Sequence, residues 1–528
     1  MRSIAFALFI CTAAQALPST LQIYAPAREA PSTISVSEAS ELQAALDRAK
    51  PGDVITLPAG ASFAGNFVLP RKSGNRYITL RTGRTDGLPE AGARVTADHS
   101  GKLARIQSSN ANPVFRTAPG AHHWRLTLLE IGPTARGAGD IIQLGDGSDE
   151  QSGEATPHDL VIDRCYIHGH PQQGQKRGIA LNSASTSIVN SYIADIKAIG
   201  QDAQAIAGWN GPGPFRIENN YLEASGENFL LGGAPPGTPG VVPSDVVFRR
   251  NHVTRPASWK SERWTVKNLF ELKNARRVLV EGNLFEHNWV GGQPGYAIVL
   301  TPRGERGRAP WATVEDVTFR YNIIRHTAAV FNMLARDDTS ETATMRRVRI
   351  ADNLIYGVQR EPWGGNGLFL QVGGGPSEIV IEHNTILQNG NIISAYGGTR
   401  DEPAALDRFV FRNNIARHNA NGVIGQGRSV GRDSLTAFFP EAVFSRNVLA
   451  GGRESRYPGD NIFPDMDHFA QQFVDYAGQD YRLRPGSEFR RAATDGADLG
   501  VNFVGMVRAM GEQARQWLGL SARPVTER

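Results

Sequence analysis

The sequence predicts an all-β solenoid: a single-stranded right-handed parallel β-helix with an N-terminal capping helix and a C-terminal helix. Three observations carry the prediction. An Asn-centred phrase recurs about every 31 residues, each phrase alternates apolar and polar residues, and turn formers are abundant. Of 528 residues, 57 are Gly and 30 are Pro, which would weaken or break helix interiors. The 40% apolar content excludes a chain too polar to collapse. Single cores stop growing near roughly 250–300 residues, but a solenoid escapes that limit because each repeat packs only on its neighbours.

The chain begins with Met1-Arg2, an apolar run from Ile4 to Ala14 and the sequence Ala14-Gln15-Ala16. A basic start, a short apolar stretch and an A-x-A site predict a cleavable secretory signal over residues 1–16. The run is shorter than the ~20 residues of a membrane span, so a secreted protein, periplasmic or extracellular, is expected. Cleavage leaves Cys165 as the one remaining cysteine, which excludes an intrachain disulfide. Residues 17–502 are assigned to the β-helix, with an N-terminal cap over about 33–70, and residues 503–528 to a helical tail. In the cap, Leu42, Ala45, Leu46 and Ala49 share one helix face, suited to covering the open end of an apolar core.

The repeat, apolar-x-apolar-x-x-Asn-x-apolar, places Cys165, Ser191, Asn220, Asn251, Asn283, Asn322, Asn353, Asn384, Asn414 and Asn447 at its sixth position. The steps are 26, 29, 31, 32, 39, 31, 31, 30 and 33 residues. Inside each phrase the period is that of a strand. Second short strands follow, such as NFLLGG at 228, NLFELK at 268 and YAIVLT at 296. Asn suits a tight turn because it tolerates left-handed backbone and its amide satisfies buried turn groups. Ser191 and Cys165 are small enough for the same slot, which assigns Cys165 to the core.

These repeats resemble the pectate-lyase-like superfamily of right-handed parallel β-helix proteins. So do the opening ASELQAALDRAKPGDVITLPAGASFAGNFVLP, like that group's capping helix and first coil, and the ending YRLRPGSEFRRAATDGADLGVN, like a last coil before an amphipathic helix. The resemblance implies the architecture. Lyases, hydrolases, epimerases and non-catalytic surface proteins share it, so chemistry must be read from side chains. The W-x-D-H and R-x-P-x-x-R phrases of pectate lyases are absent, as are the N-T-D, G-D-D and G-H-G phrases of polygalacturonases as a set.

The richest polar run lies between residues 200 and 305. Coils stack at ~4.8 Å, so matching positions on successive coils form one patch. For β-elimination from a uronic-acid polymer, Lys267 or Lys273 is the expected base, its pKa lowered by cationic neighbours. Arg303 is the charge stabiliser, and Glu227 and Glu271 complete the catalytic group. Ca²⁺ held by Asp202, Glu223 and Glu227 is the expected cofactor, since the substrate carboxylate must be neutralised. Trp209, Asn228, Trp259, Lys260, Trp264 and Tyr296 are the expected substrate contacts. Asp202, Glu227 and Glu271 also supply the paired carboxylates of a glycoside hydrolase. That reading and non-catalytic glycan binding are the alternatives. The lysine-and-acid arrangement looks more like the lysine-based lyases acting on alginate or chondroitin-type uronans. The net charge, 56 − 52 = +4, has no basic stripe, which argues against a nucleic-acid partner and is compatible with an acidic glycan. A membrane span is not expected, and a monomer is.

Overall fold

The computed structural model describes residues 32–148 and 153–519. The expected signal peptide at 1–16 and the last residues of the tail, 520–528, lie outside the described residues. The chain winds into three long parallel sheets, here A, B and C, of 14, 13 and 12 strands. Each coil contributes one strand to A, turns at the Asn position into B, and then crosses to C. The result is the expected right-handed parallel β-helix.

The Asn column acts as a hydrogen-bonded ladder. The backbone N–H and Nδ2 of Asn322 both donate to Asn353 Oδ1, at 2.9 and 3.0 Å. Asn353 Nδ2 in turn donates to the Phe319 and Ala351 carbonyls and to Asn384 Oδ1. The pattern runs from Asn220 to Asn461, one rung beyond the repeat seen in sequence. Ser191 and Cys165 continue it at the N-terminal side, with the Cys165 N–H donating to Ser191 Oγ. Burial pushes the Cys165 thiol up to about 12, which marks it as an inert core group.

Helix α1 (Ala39–Arg48) buries Leu42, Ala45 and Leu46, and Ala49 just beyond it, over the N-terminal end of the core. At the other end helix α2 (Arg432–Phe438) plugs the solenoid with Leu435 and Phe438. The segment expected as a last coil is placed differently. After a last partial turn that ends with Asn461 and the Val448–Ile462 parallel bridge, the chain leaves the solenoid, forms α3 (Met466–Ala470) and a two-stranded antiparallel ribbon, and folds back along the outside of sheet B. The Gly500 N–H donates to the Asn413 carbonyl, the Val501 N–H to Thr385 Oγ1, and the Asn502 N–H to Asp352 Oδ1. Helix α4 (Phe503–Met510) continues this path, so the C-terminal helix lies on the solenoid's flank. Outward Leu284, Ile323 and Leu354 on sheet B need that cover, and no further coil would supply it. No helix among the described residues is long and apolar enough to cross a membrane.

Candidate active site

The chemistry-bearing residues gather on sheet C, where a bend in each coil sets which side chains point out. Two consecutive residues face the core at the bend, Ala205 and Ile206 in one coil and Leu269 and Phe270 in another. The residue before the pair and the residue after it therefore both face outward. One outward column reads Asp140, Arg177, Gln204 and Glu227 by direct strand register. The same offset, through Phe229 opposite Phe270, puts Asn268 next. The other column carries Glu271, Val299, Asn332 and Gln371.

Where the columns meet, two acids lie under two lysines. The side chains of Glu227 and Glu271 are 0% and 3% exposed, whereas Lys267 and Lys273 above them are 17% and 19% exposed and Asp202 is 41% exposed. Lys267 Nζ is 2.6 Å from Asp202 Oδ1 and 3.4 Å from Glu227 Oε1. Lys273 Nζ is 3.5 Å from Glu271 Oε1. Gln204 Nε2 donates to Glu227 Oε2 at 3.2 Å, and Arg177 Nε donates to Gln204 Oε1. Glu227 Oε1, Glu271 Oε2 and Asn268 Oδ1 are buried and accept no hydrogen bond.

Burial, followed by the charges of Glu271 and Asp202, pushes the Glu227 carboxyl up to about 7; Lys267 and Lys273 offset part of that rise. Burial pulls the Lys267 ammonium down, but Glu227 and Asp202 more than compensate and leave it above its ordinary value. The expectation of a lysine lowered by cationic neighbours therefore fails for Lys267, because the groups closest to it are carboxylates.

Beneath the patch, Arg255 is fully buried and acts as a clamp. It donates to the Ala224, Gly226 and Asn268 carbonyls and to the Asn228 and Asn288 side chains. These bonds fix the strand starts that carry Glu227 and Lys267.

No protein-family model matches the chain, and no curated protein matches it. Among solved structures it is similar to the PL6 family alginate lyase AlyGC, with TM-score 0.53 and 15% identity over 94% of this chain and 60% of that one. The chain thus spans about three-fifths of AlyGC's length. It is also similar to a mannuronic acid specific polysaccharide family 6 lyase from human gut microbiota, with TM-score 0.52 and 14% identity over 82% of this chain and 91% of that one. The likeness shows the fold, a right-handed parallel β-helix.

On this β-helix the predicted residues divide. Asp202, Glu227, Lys267, Glu271 and Lys273 form one cluster. Arg303 adjoins it, its N–H donating to the Lys273 carbonyl and its guanidinium 3.1 and 3.0 Å from Asp337 and Asp338. Glu223 does not join: it lies on the outer face of sheet B, accepting from Tyr221 Oη and the Asp195 N–H. The expected metal set of Asp202, Glu223 and Glu227 is therefore not assembled. Asn228 faces the interior, donating to the Leu222 and Thr254 carbonyls, because it occupies the first inward position of the bend. Simple alternation hides that.

The aromatic platforms are also otherwise engaged. Trp259 is buried with Val266, Trp289 and Trp363, and Lys197 Nζ lies 4.7 Å from its ring and 5.0 Å from that of half-buried Trp264. Lys260 donates to the Pro362 carbonyl and lies over Trp363. Tyr296 is buried, with its hydroxyl donating to Gln371 at 2.6 Å. Trp209 remains half-buried beside the patch with Arg177 over its ring at 5.0 Å. Sequence reasoning missed Arg177 and Asn268 and gave Gln204, in the same polar run as Asp202, no role. Their signal was available by counting two residues back from the inward Ile179, Ile206 and Phe270.

Proposed function

We propose that the protein is a secreted polysaccharide lyase that cleaves an acidic, uronic-acid-containing glycan by β-elimination at the Lys267–Lys273 patch. The observation that carries this reading is the layering: ammonium groups toward the surface, and directly beneath them buried carboxylates whose Glu227 Oε1 and Glu271 Oε2 accept no hydrogen bond. The similar lyase folds agree with it.

A Ca²⁺ ion fits the chain, with a donor set that differs from the expected one. Glu227, Asn268 and Glu271 present three buried oxygens lacking hydrogen-bond donors, the ligand chemistry of a hard cation. Bound there, Ca²⁺ would supply the positive charge that makes ionisation beside a substrate carboxylate tolerable.

The chain's own residues divide the remaining work. Lys267, clamped at 2.6 Å by Asp202, keeps its proton and holds positive charge against the uronate carboxylate. Lys273, held by one 3.5 Å contact, takes the proton from the carbon next to that carboxylate. The electron pair left behind forms the double bond as the glycosidic oxygen leaves. Arg303, braced by Asp337 and Asp338, orients the neighbouring sugar.

Incubation with a panel of uronans in the presence of Ca²⁺ tests the reading. The expected result is ultraviolet absorbance from unsaturated uronate ends, reduced by about 10²-fold or more in Lys273→Ala, the usual weight of a positioned acid or base. No absorbance with any uronan contradicts it. A second reading, glycoside hydrolysis, is favoured by a carboxyl poised at about 7 beside other acids, the state a general acid needs. Reducing ends released without absorbance would select it.

A further inference from the structure

A second cluster lies on a different face, at the leading edge of sheet A near the N-terminus, and it is independent of the glycan reading. His122 and His158 are register partners on adjacent coils. Their rings stack 4.9 Å apart at 10°. His123 and Asp159, one residue further on, both adopt left-handed backbone, φ 55° and 50°. His122 Nδ1 and His123 Nδ1 approach to 2.8 Å, and His158 Nδ1 is 2.7 Å from Asp159 Oδ2. One ligand atom from each of His123, His158 and Asp159 can be chosen so that all lie within 4.8 Å of one another.

The same corner of later coils shows what this position ordinarily does. Asp245 pairs with Arg277, Asp316 with Arg347 and Glu378 with Arg408, each an acid on one coil bound to an arginine on the next. All six share the left-handed backbone. At His123 and Asp159 the ion-pair ladder gives way to imidazoles and one carboxylate. This is the donor set that borderline divalent metals prefer, with His nitrogen and Asp oxygen at about 2.0–2.2 Å.

We propose that His123, His158 and Asp159, with His122 at their side, form a binding site for one divalent transition metal ion of the Zn²⁺ class that staples two adjacent coils. The His122 ring, stacked on His158 and hydrogen-bonded to His123, holds both ligand rings in place. His122 also hydrogen-bonds the Lys72 backbone, the kind of outer contact that orients a ligand ring. Side chains of His158 and Asp159 are 40% and 32% exposed, which gives an ion an entry path and leaves room for water as a further ligand.

Titration of the untagged full-length protein with Co²⁺, followed by visible absorbance, tests the site, with Zn²⁺ as competitor. The expected result is a saturable band at one ion per chain, displaced by Zn²⁺. Affinity should fall at least tenfold in His158→Ala and in Asp159→Asn, with metal-free melting curves showing that each variant is folded. Asp159→Asn preserves shape and serves if the histidine variant does not fold. No saturable binding, or binding unchanged in the folded variants, overturns the proposal. The second outcome would place the ion elsewhere, such as at Glu286, His287 and His326.

Discussion

Glu227 concentrates the cost of the candidate site in one side chain. Its carboxyl is raised from 4.5 to about 7, first by burial and then by Glu271 and Asp202. Between these values the folded chain holds a proton that the unfolded chain has released, so stability falls as pH rises through that window and then levels off. The integrated loss is on the order of 3 kcal/mol. In chelator, melting temperature should therefore decline from pH 5 to pH 7.5, and Glu227→Gln should flatten the decline. Added Ca²⁺ should stabilise more at pH 8 than at pH 5, because it binds the ionised form and only the folded state offers the site. A flat wild-type profile in chelator would contradict this account of Glu227. Asn353 carries a different burden. Its side chain joins three coils through buried hydrogen bonds, and leaving such groups unsatisfied costs ~1–3 kcal/mol each. Asn353→Ala should lower stability by about 3 kcal/mol or more in urea denaturation. Lys260→Ala, which removes an exposed tether, should cost well under that.

At the scale of elements, the segment between Arg255 and Lys267 determines where the lysine stands. Its two ends are fixed by the buried Arg255 clamp and by the Thr265 N–H donating to the Ala198 carbonyl. Its middle is held by Lys197 against Trp259 and Trp264. Cation–π contacts of this partly desolvated kind are worth about 1–2 kcal/mol. Lys197→Met should leave the global fold intact, as read by circular dichroism, and loosen the segment. Hydrogen exchange at residues 257–267 should rise, and any turnover should lose kcat more than KM. Much of the fold was legible because the Asn at each turn repeats visibly and each ladder rung needs the same amide. The site was only partly legible. Glu271 lies in the strand Phe270–Leu272 with Lys267 shortly before it and Lys273 just after, so their convergence with Glu227 needed only coil stacking. Asn228 was misplaced because strict alternation ignores the bend that turns two residues inward, and Glu223 because its strand belongs to sheet B, on a different face from the cluster. The tryptophans looked like sugar platforms because sequence does not show that Lys197 and Trp363 already cover them.

At the scale of the whole molecule, the solenoid is closed at its ends by α1 and α2 and along one flank by its own returning chain. The tail retraces the coils from Asn413 to Asn219, where Gln513 Nε2 donates to Asn219 Oδ1 at 2.8 Å. It buries Met506, Met510 and Trp517 against sheet B. Met510→Asp should detach this flank, raising exchange of amides 503–517 and lowering the melting temperature, while sheet C and its patch keep their protection. Flank and patch are thus built as separate layers. The patch lies on sheet C, away from that flank, with Trp209 on an earlier coil and Arg303 on a later one. The measurement that tests the central claim most directly is the mass balance of a defined oligouronide cut by the wild-type protein, with Lys273→Ala alongside. Elimination predicts fragments whose masses sum to the parent, one bearing a new double bond, and their loss in the variant. Fragments that together weigh one water more, or cleavage undiminished in Lys273→Ala, would contradict the account.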